Sequence, residues 1–413
     1  MKIVQINTVC GTGSTGKIAA DLYYIAEKAG DTPFIAYGRG TSPKEINSFK
    51  IGNPIDFMHH VLINFFLGKS GFGSKAVTVR FLKWLNEVKP DVLHLHNLHG
   101  FYIHVEMLFE YIKIHHIPIV WTLHDCWPLT GQCAHFDYAG CTKWQTACKH
   151  CPIYRSNYPY SLFRDNSRQN YELKKAAFTG VENLTIVTPS NWLADIVKKS
   201  FLREYPVMTI PNGINLDIFK PAVPQSTNTV FATADSTFVT ASKIILGVAN
   251  VWTSRKGLDF FLKLSELLDS SYHIILIGVS QKQQKKLQKE YGGRITPLTR
   301  TANQLELAKW YSRAYVYVNP TLEDNFPTTN LEALACGTPV ITFNTGGSPE
   351  SITEKCGIIV EKGNINQLKE AILSLDKKTE ITSLACREHA MNFNKEIRFK
   401  EYLKLYNDNF NSQ

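Results

Sequence analysis

The run Thr321-Leu322-Glu323-Asp324-Asn325-Phe326-Pro327-Thr328-Thr329-Asn330-Leu331-Glu332-Ala333-Leu334-Ala335-Cys336-Gly337-Thr338-Pro339-Val340-Ile341 constrains the fold more than any other part of the chain. Before it, Ala314 to Asn319 alternates as a strand does and stops at Pro320. Two carboxylates follow in a loop, then Pro327 at a helix start, Glu332 within the helix and Gly337 at its stop. The result is a β-α-β unit in which a strand delivers Asp324 to its carboxyl end and the next helix carries Glu332. A helix N-terminus presents unpaired N–H groups to anions, so a negatively charged ligand would sit against Phe326, Thr328 and Thr329 while both carboxylates hold its hydroxyls. The competing reading is an ordinary unit whose acidic residues are merely solvated.

With 413 residues the chain is long enough for two domains, each with its own core. A hydrophobic content of 44% and a charged content of 20% are those of a soluble globular protein. No apolar run is long enough for a transmembrane helix. Met1 to Asn7 reads as a first strand and not as a signal peptide, so the chain is expected to stay in the cytoplasm with its nine cysteines reduced or bound to metal. The net charge of +9 points to acidic partners: nucleotide diphosphates, lipid phosphates or nucleic acid. No nucleic-acid-binding signature accompanies it, which makes nucleic acid the weakest of the three.

The N-terminal half reads as a doubly wound sheet. A strand from Lys2 to Thr8 runs into Cys10-Gly11-Thr12-Gly13-Ser14-Thr15-Gly16-Lys17, a glycine-rich turn of the kind that binds phosphates in α/β folds. Ile18 stands where a nucleoside-triphosphate loop needs Ser or Thr, and no acidic residue closes a second strand as a dinucleotide fingerprint would require. Further on, Val61 to Lys69 is apolar and Ser70 to Lys75 is a flexible basic turn, read either as a buried helix with a surface loop or as a surface meeting a lipid-linked sugar at the membrane. His94 and His96 share one strand face by alternation and read as hydrogen-bonded core histidines in preference to metal ligands. The next strand ends at His124-Asp125. Cys133, Cys141, Cys148 and Cys151, the last two as C-x-x-C, suit a structural tetrahedral Zn²⁺ site; free thiols or a redox pair are the alternative.

In the C-terminal half, Thr209 to Pro221 has the turn residues of an interdomain crossing, and 222–242, rich in Ser, Thr and Ala, reads as a loose connection. A strand from Lys243 to Val248 leads to Arg255 and Lys256, and Gly346-Gly347 closes a later strand with a phosphate-sized turn. The chain ends in an amphipathic helix over 387–410 that uses Phe393, Ile397, Tyr402, Leu405 and Tyr406.

Residues 320–350 resemble the C-terminal signature of the retaining family-4 glycosyltransferases of GT-B fold, a Glu-x7-Glu pair continuing into Glu-Ala-x-Ala-x-Gly-x-Pro-Val. Here Asp324 and Glu332 meet the spacing, with Glu323 one residue early as the rival acid, and Pro327 replaces a small residue. The resemblance implies two Rossmann-like domains facing a central cleft: an acceptor-side domain over 1–205 with the 387–410 helix packed back on it, and a nucleotide-sugar domain over 206–386. It implies that a sugar moves from a nucleotide-diphosphate donor to an acceptor hydroxyl, with retention and without a catalytic metal, at the inner face of the membrane in bacterial surface-polysaccharide synthesis. Carried over residue by residue, it places Gly13, Ser14, Thr15 and Gly16 near the donor phosphate or acceptor. It gives His124 and Asp324 to the donor sugar, Glu332 to the ribose, and Asn325, Phe326, Thr328 and Thr329 to donor binding. The family's diphosphate clamp matches at Lys256; Val251 stands where its Arg would be, and Arg255 is the candidate substitute. A nucleotide-sugar epimerase and a non-catalytic sugar-nucleotide-binding protein are the alternatives.

Overall fold

The computed structural model describes residues 1–222 and 243–411, which form two compact units: residues 1–212 with 396 onward, and residues 213–395. The loose connection read at 222–242 lies, apart from Ala222, outside the described residues.

The first unit holds seven parallel strands: β1 (Lys2–Val9), β2 (Thr32–Arg39), β3 (Ser48–Lys50), β4 (Val92–Leu95), β5 (Ile119–Thr122), β6 (Leu184–Thr188) and β7 (Val207–Thr209). Between them run α1 (Gly13–Lys28), α2 (Pro54–Leu67), α3 (Lys75–Val88), α4 (Val105–His115), α5 (Ser167–Phe178) and α6 (Asn191–Lys198). The order β3-β2-β1-β4-β5-β6-β7 reverses direction between β1 and β4, and the carboxyl ends beside such a switch point are where α/β sheets hold ligands. The unit runs past the boundary expected at 205 because β7 pairs with β6 at its sheet edge.

The second unit repeats the plan with six parallel strands, β8 (Lys243–Val248), β9 (Tyr272–Ile277), β10 (Ile295–Leu298), β11 (Val316–Asn319), β12 (Val340–Phe343) and β13 (Gly357–Val360), in the order β10-β9-β8-β11-β12-β13. Its helices are α7 (Leu258–Leu267), α8 (Gln281–Tyr291), α9 (Gln304–Arg313), α10 (Thr328–Ala335), α11 (Ile365–Ser374) and α12 (Ser383–Met391). The switch point falls between β8 and β11, so the loops after these two strands emerge side by side. Strands β4, β5, β6, β11 and β12 are buried at every position, as parallel strands covered on both faces must be.

Two element-level readings are corrected. The apolar run 61–69 is no buried helix with a surface loop: α2 turns His60 and Asn64 inward, while Met58, Leu62, Phe66 and Leu67 are exposed. The loop behind it is the buried part. Ser70 accepts from Trp127 Nε1 at 2.9 Å, the Gly73 N–H donates to His60 Nε2 at 3.1 Å, and His60 Nδ1 lies 2.8 Å from the Ser74 hydroxyl. Polar groups that fit a polar loop therefore go inside, and the apolar stripe faces out.

The single helix expected over 387–410 is two, α12 and α13 (Lys395–Asn411). Between them the chain pairs with the crossing segment: the Ile214 N–H donates to the Phe393 carbonyl at 2.8 Å and the Lys395 N–H to the Ile214 carbonyl at 3.0 Å. Phe393 turns into the second unit's core beside Phe326, with ring centroids 5.7 Å apart. Helix α13 instead packs Phe399, Tyr402, Leu405 and Tyr406 against Ile3, Leu22 and Val120 of the first unit, leaving Ile397 exposed.

Candidate active site

A polar constellation stands at the switch point of the second unit. After β8 the chain makes a tight turn over Ser254–Lys256 and enters α7 through Gly257; after β11 it runs through Thr321 to Phe326 and enters α10. The two loops interlock. The Leu322 N–H donates to the Arg255 carbonyl at 2.8 Å, and Arg255 Nη1 donates to the Glu323 carbonyl at 2.5 Å. Gly257 and Gly346 permit this approach, since a Cβ at either would meet the carbonyl oxygen of Pro320 or Asp324 at 2.1 and 1.9 Å. The turn at Gly346-Gly347 thus packs on the backbone of Asp324, with the Gly347 N–H donating to the Asp324 carbonyl at 3.1 Å.

Held this way, the Asp324 carboxylate forms an ion pair with Lys256, Nζ to Oδ2 2.5 Å, both side chains partly exposed at 28% and 19%. The Asn325 N–H donates to Asp324 Oδ1 at 3.0 Å. Glu323 is turned into the unit at 1% exposure, so Asp324 is the acid that faces the lysine. Helix α10 begins behind Pro327, whose side chain supplies no cap, so the positive end of its dipole follows the loop that carries Asp324. Further along α10, Glu332 accepts from the Tyr311 hydroxyl at 3.1 Å. Burial, with the nearby Glu332 carboxylate, pushes the Tyr311 phenol up, and burial does the same at Tyr317, whose hydroxyl is bonded to the Thr329 side chain. Phe326 and Asn325 are buried; Thr328 and Thr329 are half-buried at the helix start. Sequence reasoning missed the support beneath. Asn330 accepts from Asn319 at 2.8 Å and donates to Ser348 at 3.1 Å and Ser351 at 2.8 Å, a buried network that ties α10 to β11 and to the turn after β12.

In the first unit the glycine turn opens α1. Gly13 has φ +64° and is exposed with Ser14, while Thr15 is half-buried. At Gly16 a Cβ would meet the Val9 side chain at 2.9 Å, so this glycine serves helix-on-strand packing. His124, after β5, has a tautomer that its neighbours determine. Gln5 donates through Nε2 to the Ala19 carbonyl, which leaves Gln5 Oε1 to accept from His96 Nε2 at 3.0 Å. His96 Nδ1 is then an acceptor, taking the His124 Nε2 proton at 3.0 Å, and His124 Nδ1 becomes an acceptor in turn. Burial holds the His124 pKa down to about 4, Asp125 opposing and His99 assisting, so the ring is neutral near pH 7. Asp125 itself pairs with His99 at 2.6 Å; burial raises its pKa, but the charge and hydrogen bond of His99 outweigh that and hold it at about 2. His94 bonds Tyr406 at 2.6 Å and Thr122 at 2.8 Å. The sequence signal for this relay is polar side chains placed among apolar ones, Gln5 in β1, His94 in β4 and His96 just past it.

The four cysteines singled out from sequence line one small cavity, although no three His, Cys, Asp or Glu side chains among the described residues stand close enough to hold an ion.

Comparison with known proteins bears on the family and the fold. The family model described as Glycosyltransferase Family 4 matches residues 27–218, and that described as Glycosyl transferases group 1 matches 242–377. The putative colanic acid biosynthesis glycosyl transferase WcaC of Escherichia coli K12 is 24% identical, covering 98% of this chain and 99% of its own. The N,N'-diacetylbacillosaminyl-diphospho-undecaprenol alpha-1,3-N-acetylgalactosaminyltransferase of Campylobacter jejuni is 25% identical over 57% of this chain and 62% of its own. Among solved structures, sucrose-phosphate synthase from Thermosynechococcus elongatus superposes with a TM-score of 0.72 at 18% identity over 100% of both chains. Anabaena HepE in complex with UDP-glucose does so with a TM-score of 0.66 at 12% identity, again over 100% of both. The chain is a glycosyltransferase of GT-B fold, its first half matching Glycosyltransferase Family 4 and its second half Glycosyl transferases group 1.

Proposed function

We propose that this glycosyltransferase takes a hexosyl group from a nucleotide-diphosphate sugar and places it on a hydroxyl of a lipid-linked or oligosaccharide acceptor in surface-polysaccharide synthesis, retaining the anomeric configuration. The observation that carries this reading is the Lys256–Asp324 pair at the start of α10. An ammonium beside an uncapped helix N-terminus attracts phosphate, and a carboxylate at the same spot accepts sugar hydroxyls. In the reaction the acceptor oxygen bonds the anomeric carbon as the carbon–oxygen bond to the diphosphate breaks, and the departing phosphate takes the acceptor proton. Charge grows on the diphosphate during this step, and Lys256 and the first N–H groups of α10 stabilise it. Arg255, engaged with the Glu323 carbonyl, holds the loop that carries Asp324 and adds its charge to the same region. Glu332 is assigned to the ribose, and His124 to a sugar hydroxyl in the first unit.

The outward apolar stripe of α2 supports peripheral attachment to an anionic bilayer. Ile55, Met58, Leu62 and Phe66 are exposed, and the Phe66 ring stacks on exposed Phe163 at 5.2 Å. A net charge of +9 suits anionic headgroups, and a lipid-linked acceptor would be met there. Incubation of the purified protein with a panel of nucleotide sugars, with and without acceptor, tests the chemistry. Transfer requires acceptor, whereas an epimerase alters the donor alone and a binding protein alters neither. The anomeric configuration of the product tests retention.

A further inference from the structure

Residues 123–166 join β5 to α5 with no strand and only three single-turn helices, at Trp127–Leu129, Asp137–Ala139 and Lys143–Gln145. A connection this long needs another source of order. Part of it is packing, since Trp127, Leu129, Phe136 and Trp144 are buried. The rest of the segment gathers sulfur. Cys133, Cys141, Cys148 and Cys151 line one cavity of about 10 Å³ with Phe136 and Trp144, roughly the room for one water-sized particle. Cys133 and Cys148 are buried, and the Cys133 and Cys151 thiols are hydrogen-bonded to each other.

A second observation, independent of the thiols, concerns charge. Lys174 of α5 is fully buried. Its ammonium donates to the carbonyls of Trp127 at 2.8 Å and Thr130 at 3.0 Å, and it lies 3.4 Å from the centre of the Trp127 ring. None of these partners carries a negative charge, and burial lowers the Lys174 pKa well below its ordinary value. Asp125 acts on it from farther off, but that carboxylate is paired with His99. The charges of Cys148 and Cys133 oppose that lowering, which places both sulfurs near the Lys174 amine. Lys143 also lines the cavity and donates to the carbonyls of Lys149 and His150 at 3.1 and 2.7 Å, within the turn between Cys148 and Cys151.

We propose that Cys133, Cys141, Cys148 and Cys151 bind one Zn²⁺ as a closed tetrathiolate site, with Lys174 and Lys143 offsetting its charge. Each sulfur releases its proton to solvent as it bonds the ion, and four thiolates with one Zn²⁺ leave two negative charges for the two ammonium groups. Loading draws the sulfurs in to about 2.3 Å from the ion and replaces the Cys133–Cys151 hydrogen bond. With four thiolates no position is open to water, so the site is structural. It pins the segment that begins at His124 and Asp125.

The test is elemental analysis of the full chain purified without added metal, paired with release of zinc by a thiol-binding mercurial. About one zinc per chain is expected, lost in Cys148→Ser and Cys151→Ser and retained in Cys10→Ser, whose thiol lies apart from the cavity. Should the serine variants fail to fold, Co²⁺ exchange into the wild-type chain supplies the second readout, the intense visible absorption of tetrahedral thiolate-bound cobalt. Wild-type protein without metal whose four thiols titrate freely, or a disulfide between any two of them found by mass spectrometry, overturns the proposal.

Discussion

Asp324 and Glu323 are neighbours in sequence and opposites in the fold. The first reaches Lys256 at 2.5 Å, while the second is turned inward and its carbonyl anchors Arg255 and Thr321. Asp324→Asn and Glu332→Gln are therefore expected to lower kcat by about 10²-fold with the fold kept, as checked by steady-state transfer assays beside thermal melts. Glu323→Gln should act on stability more than on kcat. A silent Asp324→Asn with a damaging Glu323→Gln would reverse the assignment. The spacing to Glu332 was legible in the sequence because it follows from one loop and one helix. The inward turn of Glu323 was not legible, because it depends on a loop contributed by β8, far away in the chain. The same holds for Arg387. Its guanidinium caps the Ala335 carbonyl at the end of α10 at 2.9 Å and bonds the carbonyls of Phe219 and Leu216, contacts that no local pattern announces.

At the scale of elements, β1, β4, β5, β8 and β11 could be read from the sequence, since parallel strands buried on both faces are short continuous apolar runs bounded by turn residues. Periodicity gives the phase of an apolar stripe but not which side of it meets the protein. Helix α2 shows the consequence: its apolar run from Val61 was readable, but His60 and Asn64 were not readable as its buried face. The paired variant Leu62→Asp with Phe66→Asp should leave stability within about 0.5 kcal/mol, as expected for exposed positions, and abolish cosedimentation with anionic vesicles. Undiminished vesicle binding would remove α2 as the attachment face. The C-terminal break at Asn392–Asn394 was hidden for a related reason. Phe393 keeps helical spacing with Ile397, but it belongs to the core of a different unit.

At the scale of the whole molecule, buried neutral histidines set a pH limit on stability. Burial holds His60 at about 3, with the charges of His104 and His59 adding to the effect, and it holds His104 at about 4, with Lys75 adding. In the unfolded chain both titrate near 6.5. Between about 6.5 and 4 the unfolded state binds protons that the folded state refuses. Stability is therefore fully present above 6.5 and falls as pH drops through that window, each such group adding up to about 1.4 kcal/mol per pH unit. Denaturant midpoints measured from pH 7.5 to 4.5 should decline with increasing steepness below 6.5, and a flat profile would contradict the buried neutral assignment. The His60→Gln variant should flatten the decline if it folds.

The central claim is that the second unit holds the donor's diphosphate with Lys256 at the β8–β11 switch point. Calorimetric titration of free nucleoside diphosphates into the wild-type chain and Lys256→Ala tests this most directly. Losing one partner of a desolvated charge pair typically costs ~2–5 kcal/mol, so the variant should bind its nucleotide at least tens of times more weakly than wild type, whether or not the sugar is attached. Equal affinity in the two proteins would contradict the account.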